Sequence, residues 1–573
     1  MEKRALIAIT LSLAILLLWQ FLFPPPEPVK TGKLPSREPG QEEPVRPATN
    51  AGEEQLPQDR QDAPLLPSLS DRDIPELPPE PEIVIVTKLY TARFSSQGAC
   101  LKSFGLHRYT DHAVLPKICS LFPFSRFYDT TLINHLPESK DLVSYRGTAS
   151  YPFQTALDGI ESARLARAPF TSSAGSLSLA DGSPQGEISF SWTSPEGITF
   201  IKQFTFFNES YYIDCNFTVE NKTSQPIEIS PAFIWPLEIK PGSGSSGGGL
   251  FGAGGGDVDS FLYLISDTLN RKAVGDIKED KLFSGDIKWA GFEEKYFIET
   301  FIPRDAQDLK LKLFKPLNDE VSFRLVYPPA SIPPDDSRTF SSTAYLGPKD
   351  FNHLEKGPGG LGKILSFGWL DPVAKPMLYI LKLFYRFIPN YGLAIIFLSV
   401  GIKIIFWPLT HKSQKSMKEM QKIQPKLAEL KEKYKDNKEE LNRRTLEFYR
   451  TNKVNPLGGC LPIVIQIPVF FALYRVLLNS IELRHAPFVS YWINDLSSKD
   501  LTLISPLLMG ASMFIQQKMT PTVGDPAQAK IMLIMPVMFT FMFLSFPSGL
   551  VIYWLVTNVL SIAQQYYINK QAA

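Results

Sequence analysis

YGLAIIFLSVGIKIIFWPL, residues Tyr391–Leu409, is apolar except for a few small polar groups and one charge, the ammonium of Lys403. As a helix the stretch is long enough to cross about 30 Å of hydrocarbon. Four more apolar runs come after it, Leu457–Leu478, Leu501–Gln516, Ile531–Phe546 and Gly549–Tyr567, and another opens the chain at Ala5–Phe23. Runs this long and this frequent exceed what a soluble core uses. The expected fold class is therefore a membrane α-helical bundle, a five-span core over residues 390–569 plus an N-terminal anchor over 1–23. Averages over the 573 residues conceal this, because a net charge of +1 and 44% hydrophobic residues would suit a soluble protein of several domains.

Toward the N-terminus, Lys3 and Arg4 precede the first apolar run, and Phe23 is followed by three prolines rather than by a small-residue cleavage site. The run reads as an uncleaved anchor whose basic flank stays in the cytoplasm, so that the chain beyond Phe23 is exported. Residues 24–82 are crowded with Pro, Glu, Gln and Asp, too polar to bury a core, and read as a flexible tether. Over 83–350 the pattern becomes period two. Tyr211, Ile213, Cys215, Phe217 and Val219 point one way and Tyr212, Asp214, Asn216, Thr218 and Glu220 the other. The alternation recurs at Ile188/Phe190/Trp192, Leu309/Leu311/Leu313 and Val321/Phe323/Leu325/Tyr327, which predicts an exported antiparallel β-sandwich. Gly244-Ser245-Ser246-Gly247-Gly248 matches the hydrolase elbow in form, but no strand leads in, no helix leads out, and no Gly-Lys-Ser/Thr ending makes a phosphate loop. The Gly/Ser stretch 242–256 is read as a loop. Cys100, Cys119, Cys215 and Cys460 have no zinc spacing, and no metal or cofactor is expected. A Cys100–Cys119 bridge is left open.

Between 357 and 389 the apolar chain is broken by Pro372, Pro376 and Pro389, which leaves a helix of at most about thirteen residues, too short to span. Lys375, Lys382 and Arg386 share one face, with Leu378, Leu381, Phe384, Tyr385 and Ile388 elsewhere. This fits an amphipathic helix in the outer membrane surface, or a linker helix packed on the β domain. Six spans put both termini in the cytoplasm. The loop 410–456 then holds thirteen Lys/Arg against seven Asp/Glu and the outer loop 479–500 two against three, in agreement with the positive-inside bias. Met420, Ile423, Leu427, Leu430 and Tyr434, then Leu441, Thr445 and Phe448, make two helical stripes around a turn at Asp436-Asn437. The hairpin at 410–456 is basic, which suits plain solvation, membrane lipids or a ribosome.

Lys403 is energetically out of place, since a cation inside a span costs roughly 2.5–3.5 kcal/mol on insertion scales. With the direction of each helix alternating, Gln466, Gln516, Gln517, Ser561, Gln564 and Gln565 fall in the inner half of the bundle and Asn558 near its middle. Gly392–Leu398, Phe470–Leu473 and Gly549–Val556 in the outer half are apolar. A hydrated pocket open to the cytoplasm and closed outside is expected; a through-channel would need polar lining at all depths. For any one amide, interhelical hydrogen bonding explains it equally well. Met532, Met535, Met538, Phe539, Met542 and Phe543 give another span a soft, adaptable face.

Lys453-Val454-Asn455-Pro456-Leu457-Gly458-Gly459-Cys460 leading into Pro462–Tyr474, and Phe546-Pro547-Ser548-Gly549-Leu550 leading into Asn558 and Gln564-Gln565, resemble the signature segments of the YidC membrane protein insertases. The likeness is close over 357–567. It is weaker over the β domain, at Trp289-Ala290-Gly291 and Lys295-Tyr296-Phe297, and at the anchor, as in the Gram-negative members. The resemblance implies a groove cation at Lys403, where many relatives carry Arg; the groove residues expected around it from their depth are Gln466, Gln516, Gln517, Asn558, Ser561 and Gln564. It also implies a hydrophobic slide along Ile463, Ile467, Phe470, Met535, Met538, Phe539 and Met542. Replacing the Arg fork by an ammonium keeps the charge and loses bidentate geometry.

The function expected is insertion and folding of nascent membrane proteins in the bacterial inner membrane, alone or with the Sec translocon, without enzymatic chemistry. A transporter for a small anion bound at Lys403 is the main rival. A hydrolase lacks a nucleophile or a His-Glu-x-x-His pair in the spans, and inverted repeats favouring transport are not evident.

Overall fold

A computed structural model of the chain describes residues 82–110, 139–144, 150–157, 165–179, 182–239, 259–304, 307–317, 319–434, 437–452, 461–489, 491–520 and 526–571. The anchor 1–23, the tether up to residue 81, the Gly/Ser loop 242–256, Cys119, Asp436 and the segment 453–460 with Cys460 lie outside the described residues.

The period-two stretches are strands. Tyr212–Asn221 pairs antiparallel with Ile198–Phe207 on one side and with Ser337–Pro348 on the other, in a nine-stranded sheet. Its odd-numbered residues Ile213 through Val219 are fully enclosed. Aromatic contacts join its inner face to two five-stranded sheets: Phe94 against Phe190 and Phe204, and Trp235 and Phe323 against Phe301 and Phe292. The layers thus share one core, as expected for a sandwich. One pair departs from the antiparallel expectation: Val84–Val86 runs parallel to Ser176–Ser178. Parallel neighbours need a long crossover, and the chain between the two strands supplies it.

A cation sits inside this core. Lys202, on Ile198–Phe207, is 1% exposed. Its Nζ donates to the carbonyls of Gly98 at 2.6 Å, Phe153 at 2.7 Å and Ala99 at 3.4 Å. All three acceptor residues have positive φ, 66° at Gly98, 44° at Ala99 and 64° at Phe153. For Ala and Phe that conformation is strained, and the convergence of their carbonyls on one ammonium offsets the strain.

The C-terminal part is helical: α1 Asp371–Phe387, α2 Tyr391–Lys433, α3 Lys438–Thr451, α4 Leu461–Asn479, α5 Ile504–Met519, α6 Pro526–Phe543 and α7 Ser548–Gln571. Helix α7 packs on α2 and α5, α6 packs on α5, and α1 packs on α2 and α4. Two expectations are corrected. The first is α1, which has 17 residues rather than thirteen: Pro372 sits in the first turn, where its missing N–H is no loss, and Pro376 removes only one bond. The other is α2, which does not stop at Leu409 but runs through Pro408 and Pro425 into the hairpin. Near Pro408, which leaves the Ile404 carbonyl without its usual N–H donor, the Thr410 hydroxyl donates to the carbonyls of Phe406 at 3.0 Å and Trp407 at 3.1 Å. Helix α1 buries Ala374, Met377, Leu378 and Leu381 toward the bundle and exposes Tyr379, Ile380, Leu383 and Phe387. Among the described residues, one helix, within Tyr391–Leu430, is by itself long and apolar enough to cross a membrane; Val464–Asn479 and Met532–Phe543 are shorter apolar helices.

Candidate functional site

The bundle is packed unevenly along its length. Its buried core includes Tyr391, Ala394, Ile395 and Leu398 of α2, Ala472, Leu473, Tyr474, Val476 and Leu477 of α4, and Leu550–Tyr553 of α7, all at the end nearer the β domain. Toward the hairpin the side chains turn outward: Ile404 and Ile405 of α2, Val464, Ile465 and Ile467 of α4, and Ile534 of α6 are exposed. Side chains that meet at one end and diverge at the other leave a cleft between α2, α4 and α7. It is lined by Ser399, Lys403, Thr410, Gln466, Tyr553 and Thr557, with Ile402, Phe406, Leu409 and Ile465 between them.

Two polar stripes at helical spacing face each other here. Ser399, Lys403, Phe406 and Thr410 lie on one side of α2, and Tyr553, Thr557, Ser561 and Gln564 on one side of α7. Lys403 Nζ donates to Ser561 Oγ at 2.8 Å, and the Ser561 hydroxyl donates in turn to the Thr557 carbonyl at 2.7 Å. One turn on, Thr410 and Gln564 hydrogen-bond at 3.0 Å. From α4, Gln466 Nε2 donates to the Tyr553 hydroxyl at 3.3 Å. Among the described residues no carboxylate lies within ion-pairing distance of Lys403, so its charge meets only a neutral hydroxyl.

Four of the expected site residues therefore meet at the cleft: Lys403, Gln466, Ser561 and Gln564. Three do not. Asn558 is 6% exposed and donates to Ser512 Oγ of α5 at 3.0 Å, an interhelical stitch, because it lies one position round α7 from the stripe. Gln516 and Gln517 lie at the end of α5 and not on the cleft wall; the Gln517 Nε2 is buried and has no hydrogen-bond partner among the described residues. The expected slide also divides. Ile467, Met535 and Met538 are exposed, Met538 at 58%. Phe470 and Phe539 instead pack on Trp554, with ring centroids 5.1 and 6.4 Å away, and Met542 rests on the bundle core. The side chain of Ile463 lies outside the described residues. Thr410, Tyr553 and Thr557 escaped the sequence reading, although Thr410 lies at i+7 from Lys403, and Tyr553 and Thr557 at i−8 and i−4 from Ser561, spacings that were there to be counted. Among the described residues no cluster of His, Cys, Asp and Glu could hold a metal ion.

The sequence family described as 60Kd inner membrane protein matches residues 383–573, and the one described as YidC periplasmic domain matches 125–380. The membrane protein insertase YidC of Syntrophus aciditrophicus is 42% identical over 586 residues, covering 100% of both chains. That of Citrifermentans bemidjiense is 38% identical over 595 residues, again with 100% of both chains covered. Among solved structures, a YidC insertase with its first transmembrane domain resolved covers 86% of this chain and 93% of its own, at 18% identity and a TM-score of 0.36. Full-length identity at this level, with both family regions in order along one sequence, makes the chain a member of the YidC family of inner-membrane protein insertases with a periplasmic domain.

Proposed function

We propose that the cleft between α2, α4 and α7 receives a polar or acidic segment of a nascent membrane protein from the cytoplasmic side, while the client's apolar segment passes along the exposed Ile467, Met535 and Met538 into lipid. In this reading both termini and the α2–α3 hairpin are cytoplasmic, the β domain is periplasmic, and α1 lies in the outer membrane surface. The observation that carries it is Lys403, a cation whose described partner is the Ser561 hydroxyl, in a cleft backed by packed apolar side chains. An ammonium with spare donors in a partly desolvated site attracts a carboxylate more strongly than it would in bulk water. The packed end leaves only a thin apolar layer for the client's tail to cross, which needs neither nucleotide nor metal. The Sec translocon and a ribosome bound to the basic hairpin are partners the same reading accommodates.

The test is charge. Lys403→Arg keeps most insertion, Lys403→Ala slows clients with acidic exported tails about tenfold, the worth of one charge-assisted hydrogen bond, and Lys403→Glu is worst for those clients. Replacing the tail's Asp and Glu by Lys improves its relative handling by the Lys403→Glu protein. Equal impairment of acidic, neutral and basic tails by all three variants would make Lys403 a structural residue and sink the reading.

A further inference from the structure

The stretches 480–489 and 491–500, between α4 and α5, close the bundle at the β-domain end. Asn390, the N-cap of α2, donates its side-chain amide to the Phe488 carbonyl at 2.9 Å. At the start of α7, Ser548 N reaches Ser498 O at 2.7 Å and Gly549 N reaches Leu496 O at 3.0 Å. Asp500 holds the first turn of α5 through the amide and hydroxyl of Ser505, at 2.8 and 2.7 Å. This cap is thus hydrogen-bonded to the ends of three helices and continuous with a fourth.

The same segment belongs to both cores. Ile481 is buried with the β-domain core and Leu483, two residues on, with the bundle core. Just beyond, Arg484 donates to the Thr110 carbonyl at 2.7 Å, and its guanidinium lies 5.2 Å from the Phe297 ring and 5.6 Å from the Tyr296 ring. His485 Nδ1 meets Thr110 Oγ1 at 3.3 Å. Glu482 pairs with Lys382 of α1 at 2.8 Å. The β domain therefore grips the bundle at two places, through the chain leading into α1 and through the cap, and the cap cannot shift against α1 while both hold.

We propose that Arg484, seated on Thr110, Tyr296 and Phe297, latches the outer cap of the bundle to the β domain and so sets how readily the cap yields to the exported tail of a client. The proposal rests on the insertion pathway given above and adds to it a positioning residue outside the cleft. A planar guanidinium that both donates to a carbonyl and stacks on rings is the side chain such a latch requires.

The test is a reversible lock. In the full-length chain with its four cysteines replaced by Ala, Thr110→Cys and His485→Cys are introduced and oxidised with diamide in proteoliposomes. The expected result is a bridged protein that inserts a client with a long exported tail at least fivefold more slowly, inserts a client with a tail of a few residues within twofold of normal, and regains the long-tail rate on reduction. Arg484→Ala in the same background lowers the yield of the bridge and leaves long-tail insertion at or above normal; Arg484→Lys, which keeps the donor and loses the stacking, falls between. Failure of the bridge to form, or equal effects on both clients, overturns the latch. A reduced protein that inserts neither client overturns the insertion pathway beneath it.

Discussion

Two lysines, one in each region of the molecule, lie away from bulk water with no carboxylate beside them among the described residues, and they are held in opposite ways. In the β domain Lys202 is enclosed and its three donors are taken by three backbone carbonyls. In the bundle Lys403 lines an open cleft, and the hydrogen bond it makes there is to one hydroxyl. A buried cation is tolerated when each of its protons is matched. Saturation makes the first a fastener between strand and turns, whereas the spare donors of the second are free to meet something that arrives. Desolvation alone does not distinguish a structural from a functional lysine; the count of unmatched protons does.

The same substitution at both positions breaks or sharpens this contrast. Lys202→Met removes the ammonium donor from three inward-facing carbonyls, of which Phe153's keeps a long 3.4 Å bond from the Thr155 hydroxyl, each one orphaned costing about 1–3 kcal/mol less whatever is regained by no longer burying a charge. The expected loss is about 3 kcal/mol of β-domain stability, read by urea titration with limited proteolysis of the intact chain in detergent, with insertion of short-tailed clients retained. Unchanged stability would mean the turns at Gly98 and Phe153 hold themselves. Lys403→Met should do the reverse, leaving thermal unfolding of the bundle unchanged or raised while acidic-tailed clients lose about tenfold, roughly 1.4 kcal/mol, in insertion rate. A bundle that falls apart on this change would place Lys403 with Lys202 as a fastener.

A smaller effect separates them by pH. Burial pushes the Lys202 ammonium down to about 8 from its ordinary 10.5, so the folded state holds the proton less tightly than the unfolded chain. Between those values unfolding takes up protons, and stability rises with pH. Cys215, whose thiol burial pushes up to about 12 from 9.0, works with the opposite sign above pH 9, and the enclosed Tyr90 phenol, also raised, does so above 10. The window free of those opposing groups is pH 8 to 9, where Lys202 should contribute about 1 kcal/mol, read as the difference between wild type and Lys202→Met because Lys349, also lowered by burial, acts with the same sign in both proteins. No difference there would show that the carbonyls compensate the burial fully. The smallest effect concerns the stitch that sequence placed in the cleft: Asn558→Ala should cost about 0.6 kcal/mol of bundle stability and leave insertion of acidic-tailed clients within a factor of two. A larger, charge-selective loss would return Asn558 to the substrate path.

Periodicity was enough for the architecture. Alternation at Tyr211–Glu220 has one physical outcome, a half-buried strand, and apolar runs such as Tyr391–Leu409 have few. The site was legible only as types and depths: Lys403, Gln466, Ser561 and Gln564 could be named because a charge or amide in an apolar run is costly wherever it points. Which of them share a cavity depends on rotation about each helix axis, and one residue of offset, about 100°, sends Ser561 to the cleft and Asn558 to α5. Lys202 was not singled out, for its strand shows an apolar pattern with one charged interruption. Its partners are backbone carbonyls at Gly98, Ala99 and Phe153, which carry no side-chain signal at all.

By itself, then, the sequence determined the two-part fold, the family, and the presence of a cation in a long apolar run, because each is written in local composition and spacing. Only the tertiary structure decided that the packed core lies at one end of the bundle, that Ser399, Lys403 and Thr410 face Thr557 and Ser561 across a cleft, and that Arg484 reaches Thr110 across 374 positions of chain. These are contacts between residues distant in sequence. They arise from how finished helices and sheets pack against one another, and that is fixed by shape and volume summed over the whole molecule rather than by any one stretch of it.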